Sequence, residues 1–504
     1  MSGAGGEGFL SKLVNWVDSR LGLSRPLLRP VPAFAINPLY WLGALTVVAF
    51  LIQGITGVIM MLYYVPSPAQ AYSSTQYVFQ SVYYGRFLET IHLYTAYAMI
   101  MLAFMHLMRG YFVSVHKKPR EVMWVTGMLM GFVTLGFGFT GYLLPWTVIS
   151  KSATDVGTGM IAVMPQPVQG FVNFLVVGSG GDAATLLRFY DLHVVVLPAV
   201  LLVLLTVKMY MLETHGIAEP ETGKALSDKE RKTVPIFPDV TLYLLELAAV
   251  FGAGMLLISA LFPLNLPAAY SAQAAGQIVQ QPDWYFLWMY QILKIQAFEG
   301  TFAIGSTHIQ YLAVALGLVT LLFVALVLLP LLDRSKARRV RARPRFVTLG
   351  TIFVAELIVL SVWGYLTPGI QIPNYQAALV LGGTALLVGA ASLLLFRAFG
   401  KTETGGPASK PSTKGLSDPK RAVFNKASAV IILCALGALA IGSTFQALLS
   451  TVLAGATMSN LVFLGLSLTG LVAVCLATMF FVYRTELRRS QIKRRIRFFE
   501  WRAG

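Results

Sequence analysis

Long runs of apolar residues, separated by polar loops, make up most of the chain. Ten of these runs approach the roughly 20 residues that an α-helix needs to cross the hydrocarbon core of a bilayer. The pattern therefore predicts an all-α integral membrane protein with about ten transmembrane helices. The predicted spans lie at about 38–63, 88–108, 122–143, 191–212, 240–263, 309–331, 346–366, 377–397, 428–449 and 460–483.

Basic residues occupy alternate loops between these spans. The net charge is +17, and 34 of the 39 lysines and arginines fall in six segments that would share one side of the membrane. This is the positive-inside pattern, which predicts cytoplasmic N- and C-termini in a prokaryotic plasma membrane and basic loops facing lipid headgroups. The placement of the charge argues against nucleic-acid binding. The segments are 1–34, 107–123, 213–239, 332–345, 397–427 and the tail after 483.

Composition and cysteine usage exclude two further classes. Apolar residues make up 56% of the chain and charged residues 12%, which does not describe a water-soluble globule. The two cysteines, Cys434 and Cys475, both lie in apolar runs, so neither a disulfide framework nor a C-x-x-C-H haem attachment site is available. Any haem must be held non-covalently.

Two histidines share one predicted span, residues 88–109. His92 and His106 are fourteen positions apart, so on one helix their imidazoles lie roughly 21 Å apart and within about 40° of the same face. They cannot bind one metal together, but each can bind a different one. A ligating side chain inside a span is a functional-site hypothesis by default, with an interhelix hydrogen bond as the alternative. His193, in a later span, favours haem.

Glycine pairs repeat the histidine spacing. Gly43 and Gly57 are fourteen residues apart in the first span, and Gly127 and Gly141 are fourteen apart in the third. Glycine lets another helix or a flat macrocycle approach the backbone closely. The pairs are therefore candidates for flanking two stacked haems, although ordinary packing of glycine-rich membrane helices is the alternative.

Lys208 stands where a fourth ligand is expected. It follows His193 by fifteen residues, which places it roughly 22 Å deeper along the same helix. A second histidine would be expected at that position if two haems are each held between this helix and the helix of His92 and His106.

These motifs, in this order, resemble cytochrome b of quinol-oxidising bc-type complexes. The resemblance covers roughly residues 35–367 and is closest to the form that is split between two subunits, here fused into one chain with extra C-terminal spans. It rests on His92 and His106, the glycine pairs, GYLLPW at 141–146, RFYDLH at 188–193, the sequence at 282–285 and PLLDRS at 330–335.

The resemblance also implies a domain organisation. A four-helix dihaem domain is expected first, then a linker, a three-helix quinol-site domain and three additional helices with a basic tail. The predicted boundaries are 1–34 for an amphipathic cytoplasmic N-terminus, 35–215 for the dihaem domain, 216–239 for the cytoplasmic linker, 240–367 for the quinol-site domain and 368–504 for the remainder.

The resemblance assigns haem ligands residue by residue. His92 and His193 would ligate an outer, lower-potential b haem, and His106 would ligate an inner, higher-potential one. Bis-imidazole ligation suits an iron that transfers electrons, with a potential tuned by burial and hydrogen bonding. Arg86 and Arg188 lie at the predicted outer edge, where they would pair with haem propionates or serve as ordinary interface arginines.

The four residues Pro282, Asp283, Trp284 and Tyr285 look like the quinol-oxidation signature of the family. The usual second residue there is Glu, so Asp283 keeps the acid and shortens it by one methylene. Oxidation of a quinol releases two protons with its two electrons, which calls for a proton acceptor beside the hydroxyl. In isolation the string is also compatible with a common turn bearing interfacial aromatics.

Lys208 departs from the family, and three interpretations stay open. Its neutral amine ligates the inner haem opposite His106, because burial and iron both favour the uncharged form. Alternatively, the inner haem is five-coordinate or absent and Lys208 snorkels to the interface. In the third, His215 substitutes, although it lies seven residues, or about 10 Å, beyond position 208.

The function implied by the resemblance is that of an oxidoreductase subunit. Quinol is oxidised at the outer face, one electron goes to a Rieske iron-sulfur protein, and the other crosses the membrane through the b haems, coupled to proton translocation. A cytochrome c or another high-potential acceptor and a homodimeric complex are also implied. Two alternatives remain: a haem-bearing membrane anchor without bifurcation, and a proton-coupled transporter whose intramembrane histidines form a relay.

Overall fold

The computed structural model describes residues 30–218, 233–277, 279, 281–304, 307–335, 337 and 342–399. The predicted spans 428–449 and 460–483, both cysteines and the basic tail lie outside the described residues. Within them, the predicted all-α membrane class is confirmed. The main helices, of seven residues or more, are α1 (Leu42–Met61), α2 (Ala71–Ser81), α3 (Gly85–Phe112), α4 (Glu121–Leu143), α5 (Val148–Ala162), α6 (Gly181–His215), α7 (Thr241–Leu261), α8 (Leu287–Leu293), α9 (Tyr311–Val327), α10 (Pro344–Leu366) and α11 (Asn374–Phe399).

Strands and short helical segments join these helices. Two antiparallel pairs are present, β1 (Pro30–Pro32) with β2 (Thr233–Pro235), and β3 (Thr301–Ile304) with β4 (Thr307–Gln310). The β1–β2 pair ties the chain before α1 to the chain before α7. The short segments are Ala33–Ala35, Pro38–Tyr40, Val168–Val172, Asn173–Val177, Ile236–Val240, Ala272–Ala275, Trp284–Phe286, Gln296–Phe298 and Leu329–Leu332.

Seven of the described helices are long and apolar enough to cross a membrane: α1, α3, α4, α6, α7, α10 and α11. Many large apolar side chains on them face outward, such as Leu51 and Ile55 of α1, which are 58% and 65% exposed. In water such surfaces would be costly, but a bilayer is as apolar as these side chains. The exposed faces are therefore the lipid-facing faces.

The fourth predicted span, 191–212, is too short. Helix α6 begins at Gly181 and runs for 35 residues, so RFYDLH lies inside the helix and does not precede it. Residues Leu192–Val196 form a π-helical segment just before Pro198. Proline lacks an N–H and crowds the carbonyl four residues earlier, and a wider turn accommodates both effects. His193 lies in this widened turn.

The sixth predicted span, 309–331, is too long. Helix α9 has only 17 residues and ends at Val327, and a separate short helix, Leu329–Leu332, follows it. Pro330 lies in the first turn of this short helix, where its missing N–H leaves no bond unmade. Before α9, the residues predicted as the start of the span belong to β4.

Four helices form the first bundle around one apolar cluster. Ala49 of α1, Met99 of α3, Val133 of α4 and Leu201 of α6 are buried against one another. Met99 is midway between His92 and His106 on α3. The cluster therefore fills the centre of the bundle and separates two levels, one at each end, where the histidines lie.

A buried ionic cluster fixes the chain between α9 and α10 to the end of α3. Asp333 accepts a hydrogen bond from His116 Nε2 at 2.7 Å and also pairs with Lys117 and Arg343. The side chains of His116, Asp333 and Arg343 are 0%, 8% and 4% exposed. Asp333 belongs to the PLLDRS run, so this motif anchors two parts of the chain more than 200 residues apart.

Replacing Asp333 with Asn is expected to lower the melting temperature, because Arg343 and Lys117 lose their buried counter-charge, a loss that typically costs about 3–5 kcal/mol. Burial raises the pKa of Asp333, but the His116 hydrogen bond and the charge of Arg343 lower it below its usual value. Its contribution to stability is therefore present at neutral pH and is lost as pH falls through the folded-state pKa. Thermal unfolding at several pH values measures this.

The control for this variant is Asp239→Asn, because Asp239 is exposed. Such a substitution is expected to change stability by less than about 0.5 kcal/mol. Equal melting temperatures for the two variants would contradict an anchoring role for Asp333.

Helix α11 packs on α10. Thr348 and Ser392 form a hydroxyl hydrogen bond of 2.8 Å, and Gly389 lies against Ile352. Residues 1–396 form one compact unit and 397–504 a second, of which the structure describes only the last residues of α11. The predicted domain boundaries stay predictions.

Candidate functional site

His92 of α3 and His193 of α6 face each other across the bundle. Their ring centroids are 6.4 Å apart and the rings are inclined by 61°. Two imidazole nitrogens that each lie about 2 Å from one metal place the ring centroids about 6 Å apart. The pair, called the outer level below, therefore has the separation that axial ligation of one haem iron requires.

Threonine hydroxyls fix the tautomer of both outer-level histidines. Thr56 Oγ1 donates to the Ile52 carbonyl at 2.7 Å, so it accepts from His92 Nδ1 at 2.8 Å. Thr140 Oγ1 likewise donates to the Gly136 carbonyl at 2.8 Å and accepts from His193 Nδ1 at 3.0 Å. With the proton on Nδ1, the lone pair of each Nε2 is available to a metal.

Each of the four predicted glycines lies against one of the four predicted ligands. A Cβ built on Gly57 would lie 3.4 Å from His92, and one on Gly141 would lie 2.7 Å from His193. At the other end of the bundle, a Cβ on Gly43 would lie 3.0 Å from the His106 ring. The glycines thus leave space at the ligand positions on α1 and α4, which fits a flat macrocycle.

The second level, called the inner level below, contains His106 and Lys208. Lys208 Nζ lies 2.8 Å from a Cβ built on Gly127, which repeats the placement of His193 at Gly141. His106 Nδ1 is buried and has no hydrogen-bond partner within the part of the chain that the structure describes. Leu42 precedes Gly43, where a threonine precedes Gly57 and Gly141, so the hydroxyl acceptor of the outer level is absent on this side of the inner level.

Arg86 and Arg188 are engaged with carbonyl groups. Arg86 Nε donates to the Leu264 carbonyl at 2.7 Å and its Nη2 to Asn265 Oδ1 at 2.7 Å. Arg188 donates weakly to the carbonyls of Phe174 and Ala184, at 3.3 Å each. Pairing of these arginines with haem propionates stays a prediction.

Asp283 lies between two phenols. Tyr97 donates to Asp283 Oδ1 at 3.0 Å and Tyr285 donates to Oδ2 at 3.1 Å. Asp283 immediately precedes the helical turn Trp284–Phe286, but its carboxylate does not cap that turn. The side chain is therefore committed to the phenols and not to local backbone structure.

Burial raises the pKa of the Asp283 carboxyl, although the hydrogen bonds from Tyr97 and Tyr285 act in the opposite direction. A carboxyl with a raised pKa is a better proton acceptor than an exposed aspartate, because its conjugate acid is weaker. Asp283 is therefore a candidate proton acceptor.

The outer level and Asp283 are joined through α4. Phe137 packs edge-on against the His193 ring with centroids 5.6 Å apart, and the next residue, Gly138, lies against the Tyr285 ring. Tyr97 is five residues from His92 on α3. Trp284 also packs edge-on against Tyr97, with centroids 6.3 Å apart, while Pro282 precedes the acid. His193 and Tyr285, which donates to the acid, thus contact adjacent residues of α4.

Two family models match the chain. Cytochrome b/b6/petB matches residues 29–216, and the C-terminal model, Cytochrome b(C-terminal)/b6/petD, matches residues 273–381. Together they cover more than half of the sequence. The chain belongs to the cytochrome b family. The second match extends into α11, the first of the helices predicted as additional.

Individual relatives agree with this membership. The chain is 32% identical to a cytochrome b of Sulfolobus acidocaldarius over 406 residues, which is 75% of this chain and 70% of the relative. It is 30% identical to the cytochrome bc complex cytochrome b subunit of Chlorobaculum thiosulfatiphilum over 69% of this chain and 79% of the relative. A solved structure, a hyperthermophilic respiratory Complex III, matches with a TM-score of 0.60 and 26% identity over 76% of this chain and 97% of the matched chain.

Membership of the cytochrome b family establishes the general function of the chain. The chain is a multi-pass membrane cytochrome b of bc-type respiratory complexes, binds b-type haem and works as an oxidoreductase with other subunits. The transporter interpretation is therefore not supported. The residues described above fit a b-type haem, because the outer level offers two free imidazole nitrogens and a glycine beside each ring.

Four residues beside the candidate ligands and the acid are not predicted by any motif in the sequence: Tyr97, Thr56, Thr140 and Gly138. A signal for the threonines was available, since each directly precedes a glycine of the fourteen-residue pairs. Tyr97 and Asp283 are 186 residues apart, and no local pattern predicts their contact.

Proposed function

We propose that this chain is the quinol-oxidising subunit of its complex and that Asp283 accepts a proton from the quinol. The observation that supports this most strongly is the buried carboxylate of Asp283, held by Tyr97 and Tyr285 beside the outer level. Oxidation of one quinol to quinone releases two electrons and two protons. Asp283 takes one of the protons and passes it to the outer aqueous side.

The haem-binding residues have separate roles in the proposal. His92 and His193 hold one b haem at the outer level, and His106 contributes to a second at the inner level. The haems, when bound, supply one-electron carriers across the membrane. Thr56 and Thr140 hold the ring orientations of His92 and His193, which are then fixed before any haem binds.

Other subunits complete the proposed reaction. Bifurcation sends one electron across the membrane and the other to a high-potential acceptor. The chain contains only two cysteines, both far from its histidines in sequence, so an iron-sulfur cluster must come from a separate protein of the Rieske type. A cytochrome c or similar protein would follow it, and a homodimeric complex in a prokaryotic plasma membrane is expected.

The proposal is tested with the purified complex in proteoliposomes supplied with quinol and a high-potential acceptor. The expected result is proton release on the face that carries Asp283, with acceptor reduction dependent on quinol. Acceptor reduction without any proton release at that face would contradict the assigned position of the quinol site.

Replacing Gly138 with Ala is expected to lower quinol turnover about tenfold or more. The new Cβ would lie 2.9 Å from two ring atoms of Tyr285 and from its hydroxyl oxygen, so the side chain must move and carry its phenol away from Asp283. Misplacement of about 1 Å in a catalytic group can cost as much as about 10²-fold in rate. Turnover of the purified variant, with haem spectra recorded on the same sample, measures the effect.

Gly136→Ala is the matched control, two residues away on α4. Its new Cβ would meet Leu197 at 3.5 Å, which is an ordinary van der Waals contact. Equal turnover of the two variants would show that the position of Tyr285 does not matter.

A further inference from the structure

The inner level repeats the geometry of the outer level with one ligand type changed. On α1, Gly57 lies against His92 and Gly43 against His106, with fourteen residues separating both the glycines and the histidines. On α4, Gly141 lies against His193, and fourteen residues earlier Gly127 lies against Lys208 Nζ. The amine therefore occupies the position that a fourth imidazole would take.

Among the described residues, no hydrogen bond or ion pair explains the place of Lys208 in a membrane span. In the part of the chain that the structure describes, its amine forms neither a hydrogen bond nor an ion pair, and it lies within electrostatic range of His106. A charged amine inside a span is costly and is normally paired or directed to the interface. Here the amine points at the backbone of α4, next to Gly127.

Thr126, which precedes Gly127, forms different hydrogen bonds from Thr140, which precedes Gly141. Thr140, before Gly141, accepts a hydrogen bond from His193 Nδ1, whereas Thr126 Oγ1 donates only to the carbonyls of Val122 and Met123. A ligating amine carries its N–H groups on the same nitrogen that binds the metal, so it has no remote ring N–H of the kind that Thr140 accepts from. Thr126 therefore does not orient a ligand at the inner level as Thr140 does at the outer level.

We propose that the Lys208 amine is an axial ligand of the inner b haem, opposite His106. Ligation uses the lone pair of the neutral amine, so the ammonium proton goes to water when the bond to iron forms. The inference rests on the part of the proposed function that concerns haem binding. It adds to that proposal that the two haems have different ligand sets.

His215, the other candidate, is engaged elsewhere. It ends α6, and its Nδ1 lies 3.2 Å from the Met211 carbonyl of the preceding turn. Seven residues separate it from Lys208, which places it about 10 Å further along the helix. Lys208 and the three other candidate ligands each lie against a glycine of α1 or α4. His215 is not among the residues that contact these glycines.

The test uses three variants of the full complex: Lys208→Ala, Lys208→His and His215→Ala. Haem per chain is counted, and ferric spectra are recorded by electron paramagnetic resonance and by near-infrared magnetic circular dichroism, which separate imidazole–amine from bis-imidazole ligation. The native protein is expected to show two haems, one with each signature.

Lys208→Ala is expected to lose the inner haem or convert it to a high-spin form, with the outer haem unchanged. Lys208→His is expected to replace the imidazole–amine signature by a second bis-imidazole one, with Thr126 available to accept from the new ring. His215→Ala is expected to keep both native signatures.

Three results would overturn the inference: an unchanged inner-haem spectrum in Lys208→Ala, an unchanged signature in Lys208→His, or loss of the inner haem in His215→Ala. If Lys208→Ala fails to fold, Lys208→His decides alone. A native protein that lacks the outer haem as well would instead contradict the proposed function.

Discussion

Asp283→Asn is expected to lower quinol turnover by about 10²–10⁴-fold, the range that a positioned general base contributes. Asparagine keeps the shape of the side chain, with one phenol still donating to the amide oxygen and the other accepting from the NH2 group, but it cannot accept a proton. Haem content and spectra are expected to stay at native values, because Asp283 contacts phenols and not the histidines. Steady-state turnover of the purified complex with saturating quinol measures this.

Two controls separate the role of the base from a general loss of structure. Asp283→Glu keeps the acid and restores the length usual in the family, so it is expected to retain turnover within about tenfold of the native protein. Glu299→Gln removes an exposed acid from the same loop and is expected to change nothing. Native turnover in Asp283→Asn would contradict the proposed proton acceptor.

The pH profile gives a further readout of the same residue. Burial raises the pKa of Asp283, and only the ionised form accepts a proton. Turnover of the native protein is therefore expected to fall as pH drops through this pKa, at a higher pH than the value of about 3.9 for a free aspartate would give. Asp283→Asn is expected to lose that limb of the profile.

The second large effect is expected at Gly141. A leucine there would place its Cβ 2.7 Å from His193 Cε1, so the ring must leave its position opposite His92. Gly141→Leu is expected to lose most of the outer haem while the inner haem remains. Haem per chain and the reduced-minus-oxidised spectrum measure the loss.

Gly54→Leu is the matched control for this substitution. Gly54 is also a glycine of a membrane helix, but a Cβ there would meet nothing within 4 Å. Both haems are expected to be retained. Full outer-haem occupancy in Gly141→Leu would contradict the assignment of His193 as a ligand.

Much of the helical framework could be predicted from the sequence because the bilayer imposes it. An apolar run of about 20 residues has few structures other than a helix open to it in a membrane. Each of the seven described spans overlaps a predicted one. The fourteen-residue spacing of His92 and His106 placed both on one helix, as α3 shows. The boundaries failed at the start of α6, which lies ten residues before the predicted one, and near Pro330, where α9 ends and a separate short helix follows.

The candidate site was only partly predictable, because its contacts join distant segments. Asp283 was found from a motif, but its partner Tyr97 is a tyrosine among many in an apolar helix. The anchor formed by His116 and Asp333 spans 217 residues and has no periodic signal. Contacts of this kind depend on how the helices pack, and one sequence alone does not encode them in any local spacing.

The most direct test of the account is a single-turnover experiment on the purified complex, with its haems and its high-potential acceptor oxidised at the start. One equivalent of quinol is mixed in, and reduction of both is followed by optical spectroscopy. Bifurcation at the proposed quinol site predicts that b haem and acceptor are reduced together in a one-to-one ratio. Reduction of two equivalents of the high-potential acceptor per quinol, with the b haems still oxidised, would contradict bifurcation.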